Sequence, residues 1–583
     1  MDRESTLEKG GVSRRALLAG AATGLTVATS GCIRQVRSVV NRDTVNHLSV
    51  SIATVPADGD RESVQIANLL ADNLEAVGID ATVNLLAEEE FLRTILVNHD
   101  FDLYVGRHPG GIDPDFLYET LHSVYADEPG WQNPFGFTSM TFDDLLERQR
   151  VLEGDRRREV IERIADSVAA EQPFVPVCAP DENRLVREDQ FGDWDDHLAT
   201  RLGYLGLEPI DGSEELHGII TDVRPTQNLN PLSVEYRNRG TIVNLVYDSL
   251  GTVDGDDVRP WLATSWEWNG SAATVTIRDD VEWHDGEALT AADVRFTYRL
   301  LEDTSLGNSD VPAPSPRYRG PASIVDPNSI EVHDERTLTI PMTGTQSVRE
   351  RAFTVPILPK HVWTDRTDDA NLPGLPVGRG TTTAVVAENV PPVGSGPFQF
   401  ADRTDRESIL LERFDEHFSR AADELPEATV ETFRVAVHPG SPSAIEAIEN
   451  GNADVTISTL EAYSVDEVTE SESVRLLESS SQTFYHVGFN VRNAPFSNPY
   501  FRRVVARLLD KERIVEELFG GHASPVATPL AGEWVPDHLE WDGDDPSVPF
   551  FGADGQLDES AARTAFEEVG FRYDEDGKLL ARN

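Results

Sequence analysis

Apolar and polar positions follow readable periods along much of the chain. Residues 48–55, LSVSIATV, alternate as a half-buried strand does. From Glu62 to Val77 the apolar residues Val64, Ile66, Ala67, Leu69, Leu70 and Leu74 recur at helical spacing. Residues 81–86 predict a second strand, 88–98 a second helix and 101–105 a third strand. That β-α-β-α-β order predicts an α/β fold, a parallel sheet with helices on its faces. Helices over 142–152 and 156–171 and a strand over 173–177 follow.

Residues 205–218, LGLEPIDGSEELHG, have the composition of a linker, and the texture changes beyond them. Short strands and turns follow, such as Ala273 to Arg278 ahead of Asp279-Asp280, and 304–396 is dense in Pro, Gly and Thr. Helical spacing returns at 443–450, 499–509, 511–519 and 559–569. No short-period repeat occurs, which excludes solenoids and propellers.

The first residues read as an address. Arg14-Arg15 precede an apolar run, 16–28, that is shorter than the roughly 20 residues a membrane span needs. Ser13-Arg14-Arg15-Ala16-Leu17-Leu18 resembles a twin-arginine export signal. Thr29-Ser30-Gly31-Cys32 resembles a lipobox, which makes Cys32 the expected lipid-attachment site, residues 1–32 the signal and 33–45 a tether. Cys178, the second of two cysteines, lies in an apolar run and reads as a buried, inert thiol, so no disulfide within the chain is expected.

Composition adds a setting. The chain has 583 residues, enough for several domains, and a formal net charge of −52. Only Lys9, Lys360, Lys511 and Lys578 are lysines among 50 basic residues. An acidic, Lys-poor surface resembles that of a salt-adapted protein, whose self-repulsion is screened when the Debye length falls to about 3 Å in molar salt. The sign argues against nucleic acid as a partner, because phosphate recognition needs a basic patch.

The sharpest motif is Trp283-His284-Asp285-Gly286-Glu287-Ala288-Leu289-Thr290-Ala291-Ala292-Asp293-Val294. Read from its residues, it is a turn followed by a helix capped by Thr290, with Asp293 in the first turn. The whole string resembles the signature of the family 5 extracellular solute-binding proteins, the peptide- and nickel-binding receptors of ABC importers. Asn230-Pro231-Leu232, Tyr247-Asp248-Ser249-Leu250 and 260–266 (PWLATSW) precede it in family order. Pro359-Lys360-His361, 394–398 (GSGPF), 448–455 (IENGNADV), Phe489-Asn490 and 501–506 (FRRVVA) follow it.

The resemblance implies a two-lobed, periplasmic-binding-protein-like fold of the class II type, with a hinge and an interlobe cleft. The pieces that close the family's chain stand here at the front: 48–55, Val77-Gly78-Ile79-Asp80, 101–105 and Asp113-Pro114-Asp115. This order reads as a circular permutation, which is tolerated where old termini lie close together and new ones fall in a surface loop. One lobe is then expected to combine 46–182 with 483–583. The other runs over 183–482, with a subdomain at about 238–390. Hinge crossings are expected near 178–186 and 480–490.

The resemblance also implies where ligand sits. The strand Tyr104-Val105-Gly106-Arg107-His108 is expected to run beside it, and the position that holds a peptide amine in relatives falls on Gly110, which has no carboxylate. Asp113 is the replacement if the loop is shifted; Arg107 instead suits a carboxylate or phosphate. Asn228, Asn230, Tyr485, Phe489 and Asn490 are cleft candidates by position, and Arg107 and His108 read equally as a solvated loop. No nucleophile elbow, zinc-protease motif, cysteine cluster or phosphate loop occurs, so no enzyme, metal or cofactor is expected. The expectation is a monomeric, lipid-anchored receptor on the outer face of the membrane, passing a peptide or small solute to permease and ATPase subunits. A receptor for an anionic solute or metal chelate, a secreted hydrolase, and a sensory surface protein are the other readings.

Overall fold

A computed structural model of the chain describes residues 47–194, 198–210, 212–233, 240–255, 257–370, 381–469, 471–553 and 555–581. The export signal, Cys32 and the 33–45 tether lie outside the described residues. No helix among the described residues is long and apolar enough to cross a membrane.

The main sheet is built from β1 (Ser49–Thr54), β2 (Asp80–Leu85), β3 (Leu103–His108), β4 (Phe174–Arg187), β5 (Glu215–Ile220), β6 (Phe398–Thr404), β7 (Ser408–Arg413), β8 (Thr432–Val437), β9 (Val455–Thr456), β10 (Val474–Ser480), β11 (Phe484–Phe489) and β12 (Ala523–Pro525). Its order is β6-β7-β8-β5-β9-β4-β11-β3-β1-β2, with β10 and β12 also on β4. β1 pairs in parallel with β2 and β3, joined by α1 (Ala57–Ala76), as the opening β-α-β pattern predicts. A separate four-stranded sheet is formed by Ala263–Asn269, Ala272–Ile277, Glu331–Val332 and Thr337–Pro341.

The architecture is α/β and two-lobed. β4 is the seam of the main sheet. Its first half, to Pro180, pairs with β11 and β12; its second half, from Asp181, pairs with β10. Sequence periodicity places a strand only over 173–177, because the second half opens on the polar run Asp181-Glu182-Asn183-Arg184 and finds its partner in β10, far along the chain. The 205–218 stretch is also more than a linker, since β5 begins at Glu215 and pairs in parallel with β8. The predicted 88–98 helix is an α-turn, Glu88–Leu92, continued by a π-turn, Arg93–Val97.

The front of the chain is built into the same body as its far end. His47 bridges Leu580, the Leu48 N–H donates to Leu579 at 2.7 Å, and the Leu579 N–H donates to Gly78 at 2.8 Å. Leu48, Ile52, Leu70 and Leu74 share one apolar core with Phe501, Ile514, Phe566 and Leu579. Gly78 ends α1 at φ 87°, where a Cβ would stand 2.2 Å from the Gly577 carbonyl oxygen, so no other residue fits that junction.

Candidate functional site

The longest sequence motifs converge on one buried carboxylate rather than on a ligand site. Asp248 is fully buried and accepts from Arg201 at 2.8 Å, from the Trp261 indole at 2.7 Å and from the Ser395 hydroxyl at 3.0 Å. Burial works to raise its pKa, but His417, Arg201 and Trp261 prevail and hold it below the usual carboxylate range. His284 grips the Gly394–Gly396 turn: its Nδ1 accepts the Gly394 N–H at 3.3 Å and its Nε2 lies 3.0 Å from the Gly396 carbonyl. Burial pushes that imidazole down to about 4, so it stays neutral. Thr290 and Asp293 form a reciprocal capping box at the start of Ala291–Glu302. The 283–294 string is a turn and a capped helix, and its work is to fix this lobe.

Between the lobes the surface is charged and closely engaged. Glu88 pairs with Arg224, which also holds Asp222 at 2.9 Å. Arg61 lies over the Tyr463 ring at 4.4 Å. Asp115, fully buried, takes Arg150 at 2.6 Å from its own lobe and Arg351 from across the seam. Arg157 holds Asp113 through contacts of 2.5 and 2.8 Å and reaches Ser347 at 2.9 Å. Arg319 meets Glu128 through two 3.0 Å contacts. A cavity of about 450 Å³ opens beside this seam, lined by Arg157, Arg158 and Trp534 on one side and Thr345, Gln346 and Ser347 on the other.

A second charged group lies where the carboxyl end of β3 meets the start of α1, a common place for ligands in α/β sheets. Asp60 has extended backbone (φ −165°, ψ 95°) inside the Ala57–Ala76 helix. Its Oδ1 accepts the Ser63 N–H at 3.1 Å, so it acts as the N-cap of the longer segment. Asp60 also takes Arg107 Nε at 3.0 Å and the Tyr485 hydroxyl at 3.1 Å. Opposite charge from Asp60 prevails over burial and raises the Arg107 pKa. Glu62, one turn position on, is 5% exposed; burial, then the Asp60 charge, raise its carboxyl to about 7. Glu461, from the other lobe, adds to that push.

The residues singled out in the sequence separate into three fates. Arg107 and Tyr485 face each other across β3 and β11, with the guanidinium 5.8 Å from the ring centre, and belong to this group. His108 points to the opposite face of the sheet, stacked beside Phe484 and Phe174 and 3.2 Å from the Thr120 hydroxyl. Asp113 is committed to Arg157, which prevails over burial and holds it below its usual pKa. Gly110 could carry no carboxylate as it stands: its φ is 65° and a Cβ would lie 2.0 Å from the Gln482 carbonyl oxygen.

The others serve the fold. Asn230 is fully buried and donates to the Ala384 and Ala387 carbonyls at 2.8 Å each, while the Asn228 side chain accepts its N–H at 2.8 Å. Phe489 is core, stacked on Phe496, and Asn490 donates to the His99 and Phe101 carbonyls at 2.9 and 3.0 Å. These four, Asn228, Asn230, Phe489 and Asn490, expected by position to line a cleft, are placed in loops and core, and the polar side-chain atoms named here bond to backbone. Cys178 is buried, with its thiol pushed up by burial.

Comparison with known proteins now decides the family. The model described as bacterial extracellular solute-binding proteins, family 5 Middle, matches residues 257–582, more than half of the chain. The chain belongs to this family. The oligopeptide-binding protein AppA of Bacillus subtilis is 24% identical over 356 residues, 58% of this chain and 58% of that protein. The dipeptide-binding protein DppE of the same species is 23% identical over 339 residues, 56% and 57% of the two. The chain thus spans less than two thirds of the length of the curated relatives it matches. Among solved structures, NikZ of Campylobacter jejuni in complex with Ni(L-His) aligns at 18% identity over 64% of this chain and 66% of that one, with a TM-score of 0.46.

In this family 5 chain, sequence reasoning passed over the charged group formed by Asp60 and Glu62. In a chain with 102 acidic residues, two more at a helix start look like a solvated face. The available signal was the break between strand and helix at Ala57-Asp58-Gly59-Asp60, which turns that first turn toward the end of β3.

Proposed function

We propose that this chain is the solute-capturing receptor of an ABC importer, that its two lobes close over a solute, and that an oligopeptide or dipeptide is that solute. The observation that carries the reading is family membership combined with a charged seam between two lobes joined through β4 and the β10–β11 connection. Hinge closure on ligand is an established repertoire for such architectures, and the ligand shifts the population by binding the closed form better. The names of the relatives AppA and DppE favour peptide as cargo. The cleft of this chain is delimited by Arg107, Tyr485 and the first turn of α1, with 46–182 and 483–583 as one lobe and 183–482 as the other.

Three finer readings belong to the same proposal. The chain is a circular permutant; the entry of β1, β2 and β3 into the sheet beside β11, and the His47–Leu580 bridge, support it. It is held at the outer face of the membrane through lipid on Cys32 after twin-arginine export, and hands its cargo to permease and ATPase subunits. It works in high salt, which the net charge of −52 supports.

Equilibrium dialysis of the full chain against a peptic digest of casein in about 2 M KCl, the molar range where exposed charges are screened, tests capture. The account expects peptides retained at up to one per chain. No retention above the bulk concentration contradicts it. Replacing Cys32 by Ser tests the anchor: the protein is expected to move from the membrane fraction to the medium, and unchanged membrane association contradicts a lipid on that residue.

A further inference from the structure

The carboxylate missing at Gly110 has a counterpart one element away. Glu62 Oε1 is buried and has no hydrogen-bond partner among the described residues, and the hydroxyl of the adjacent, fully buried Ser63 is likewise unpartnered. A buried polar atom without a partner costs about 1–3 kcal/mol, more for a charged group, so two side by side demand a reason. At the helix start the Ser63 N–H is already capped by Asp60, and the Glu62 carboxyl meets its own backbone N–H, which lowers its pKa without outweighing burial and leaves Oε1 unpartnered. Arg107 supplies no partner either, because its Nε is bonded to Asp60 at 3.0 Å.

The groups facing Glu62 come from both lobes and carry an excess of negative charge. Asp60 lies on its own helix, Arg107 on β3, Tyr485 on β11, Cys178 on β4, and Glu461 on the opposite lobe just before Ala462–Val465. Two tyrosine rings border the place, and each already faces a guanidinium: Tyr485 under Arg107 and Tyr463 under Arg61. Tyr463 is 38% exposed, and its hydroxyl donates to Glu461 at 3.1 Å. Aromatic faces beside carboxylates are a setting for organic cations.

We propose that Glu62, backed by Asp60 and Glu461, is the carboxylate that recognises a cationic group of the solute, an ammonium or a guanidinium. This rests on the reading of the chain as a solute receptor and deepens it. The position differs from both Gly110 and Asp113: the first has no room for a side chain, and the second is spent on Arg157. A carboxyl raised to about 7 must lose its proton to receive the cation, so capture releases a proton and weakens as pH falls below that value.

The test compares a peptic casein digest with the same digest after acetylation of its amines and blocking of its arginine guanidinia with a vicinal dicarbonyl reagent, in dialysis against the full chain from pH 5 to pH 8. Wild type is expected to retain the unmodified peptides and to hold the blocked ones at least about tenfold less, the scale of one charged hydrogen bond. Retention should fall toward about tenfold per pH unit below 7. Glu62→Gln should lose the pH dependence and at least about tenfold of retention at pH 8. Glu461→Gln should weaken retention at pH 8 and move its midpoint to lower pH, a shift that a merely structural role would not cause. Equal retention of both digests, or a wild-type pH profile in Glu62→Gln or Glu461→Gln, overturns the proposal and leaves the receptor reading standing. Retention of neither digest by wild type overturns both.

Discussion

At the scale of single residues, the same carboxyl makes a stability prediction independent of ligand. Glu62 is raised in the folded chain from an ordinary 4.5 to about 7, mainly by burial and then by Asp60. Its ionised form is therefore disfavoured by folding, and the stability it leaves intact at pH 4 is lost as pH rises from about 4.5 through 7. A shift of that size is worth on the order of 3 kcal/mol. Urea unfolding of Glu62→Gln should match wild type near pH 4 and exceed it by up to about 3 kcal/mol at pH 8. A constant difference across that range contradicts the assignment. A residue that weakens the fold at the pH of binding is what a functional carboxylate looks like energetically. Asp248 shows the opposite case: fully buried and fully partnered, it holds its lobe together. Asp248→Asn leaves Arg201 without its counter-charge and is expected to cost about 3–5 kcal/mol in the same assay.

At the scale of elements, strands and helices with their own period were legible in the sequence, and a strand segment that opens on polar residues at the seam was not. β1, α1, β2 and β3 follow from alternation and 3.6-residue spacing alone. The second half of β4 did not, because it opens on the polar run Asp181-Glu182-Asn183-Arg184, which shows no alternation although Asn183 to Val186 are buried beside β10. The motif string at 283–294 revealed the family but not the site, since Asp248, His284 and Ser395 spend their polar atoms on one another's loops. Arg107, expected from its strand, and Tyr485, expected from the second crossing, meet side by side at Asp60. Asp60 and Glu62 were hidden by the acidity of the whole chain. The seam contacts make a prediction of their own. Arg351 reaches across to Asp115, which Arg150 and Gln149 also hold. Arg351→Ala removes a contact between lobes while leaving Asp115 partnered, so the fold should survive. The interlobe distance, read between spin labels on the two lobes without solute, should shift to longer values; an unchanged distribution contradicts a latch at this seam.

At the scale of the whole molecule, charge and architecture together set the conditions of function. A net charge of −52 on 583 residues repels itself at low ionic strength, and molar salt shortens the Debye length to about 3 Å. The melting temperature of the full chain should therefore fall steadily as KCl is diluted from molar to about 0.1 M, where the Debye length is about 10 Å. Insensitivity to salt contradicts adaptation as the reason for the acidity. The central claim is that a family 5 solute-binding protein with these two lobes captures a solute between them. The most direct measurement is mass spectrometry of what the full chain releases on denaturation after purification in molar salt. The account predicts a bound solute at close to one per chain, carrying an ammonium or guanidinium. A chain that releases nothing, and that retains no peptide when offered the casein digest, contradicts it.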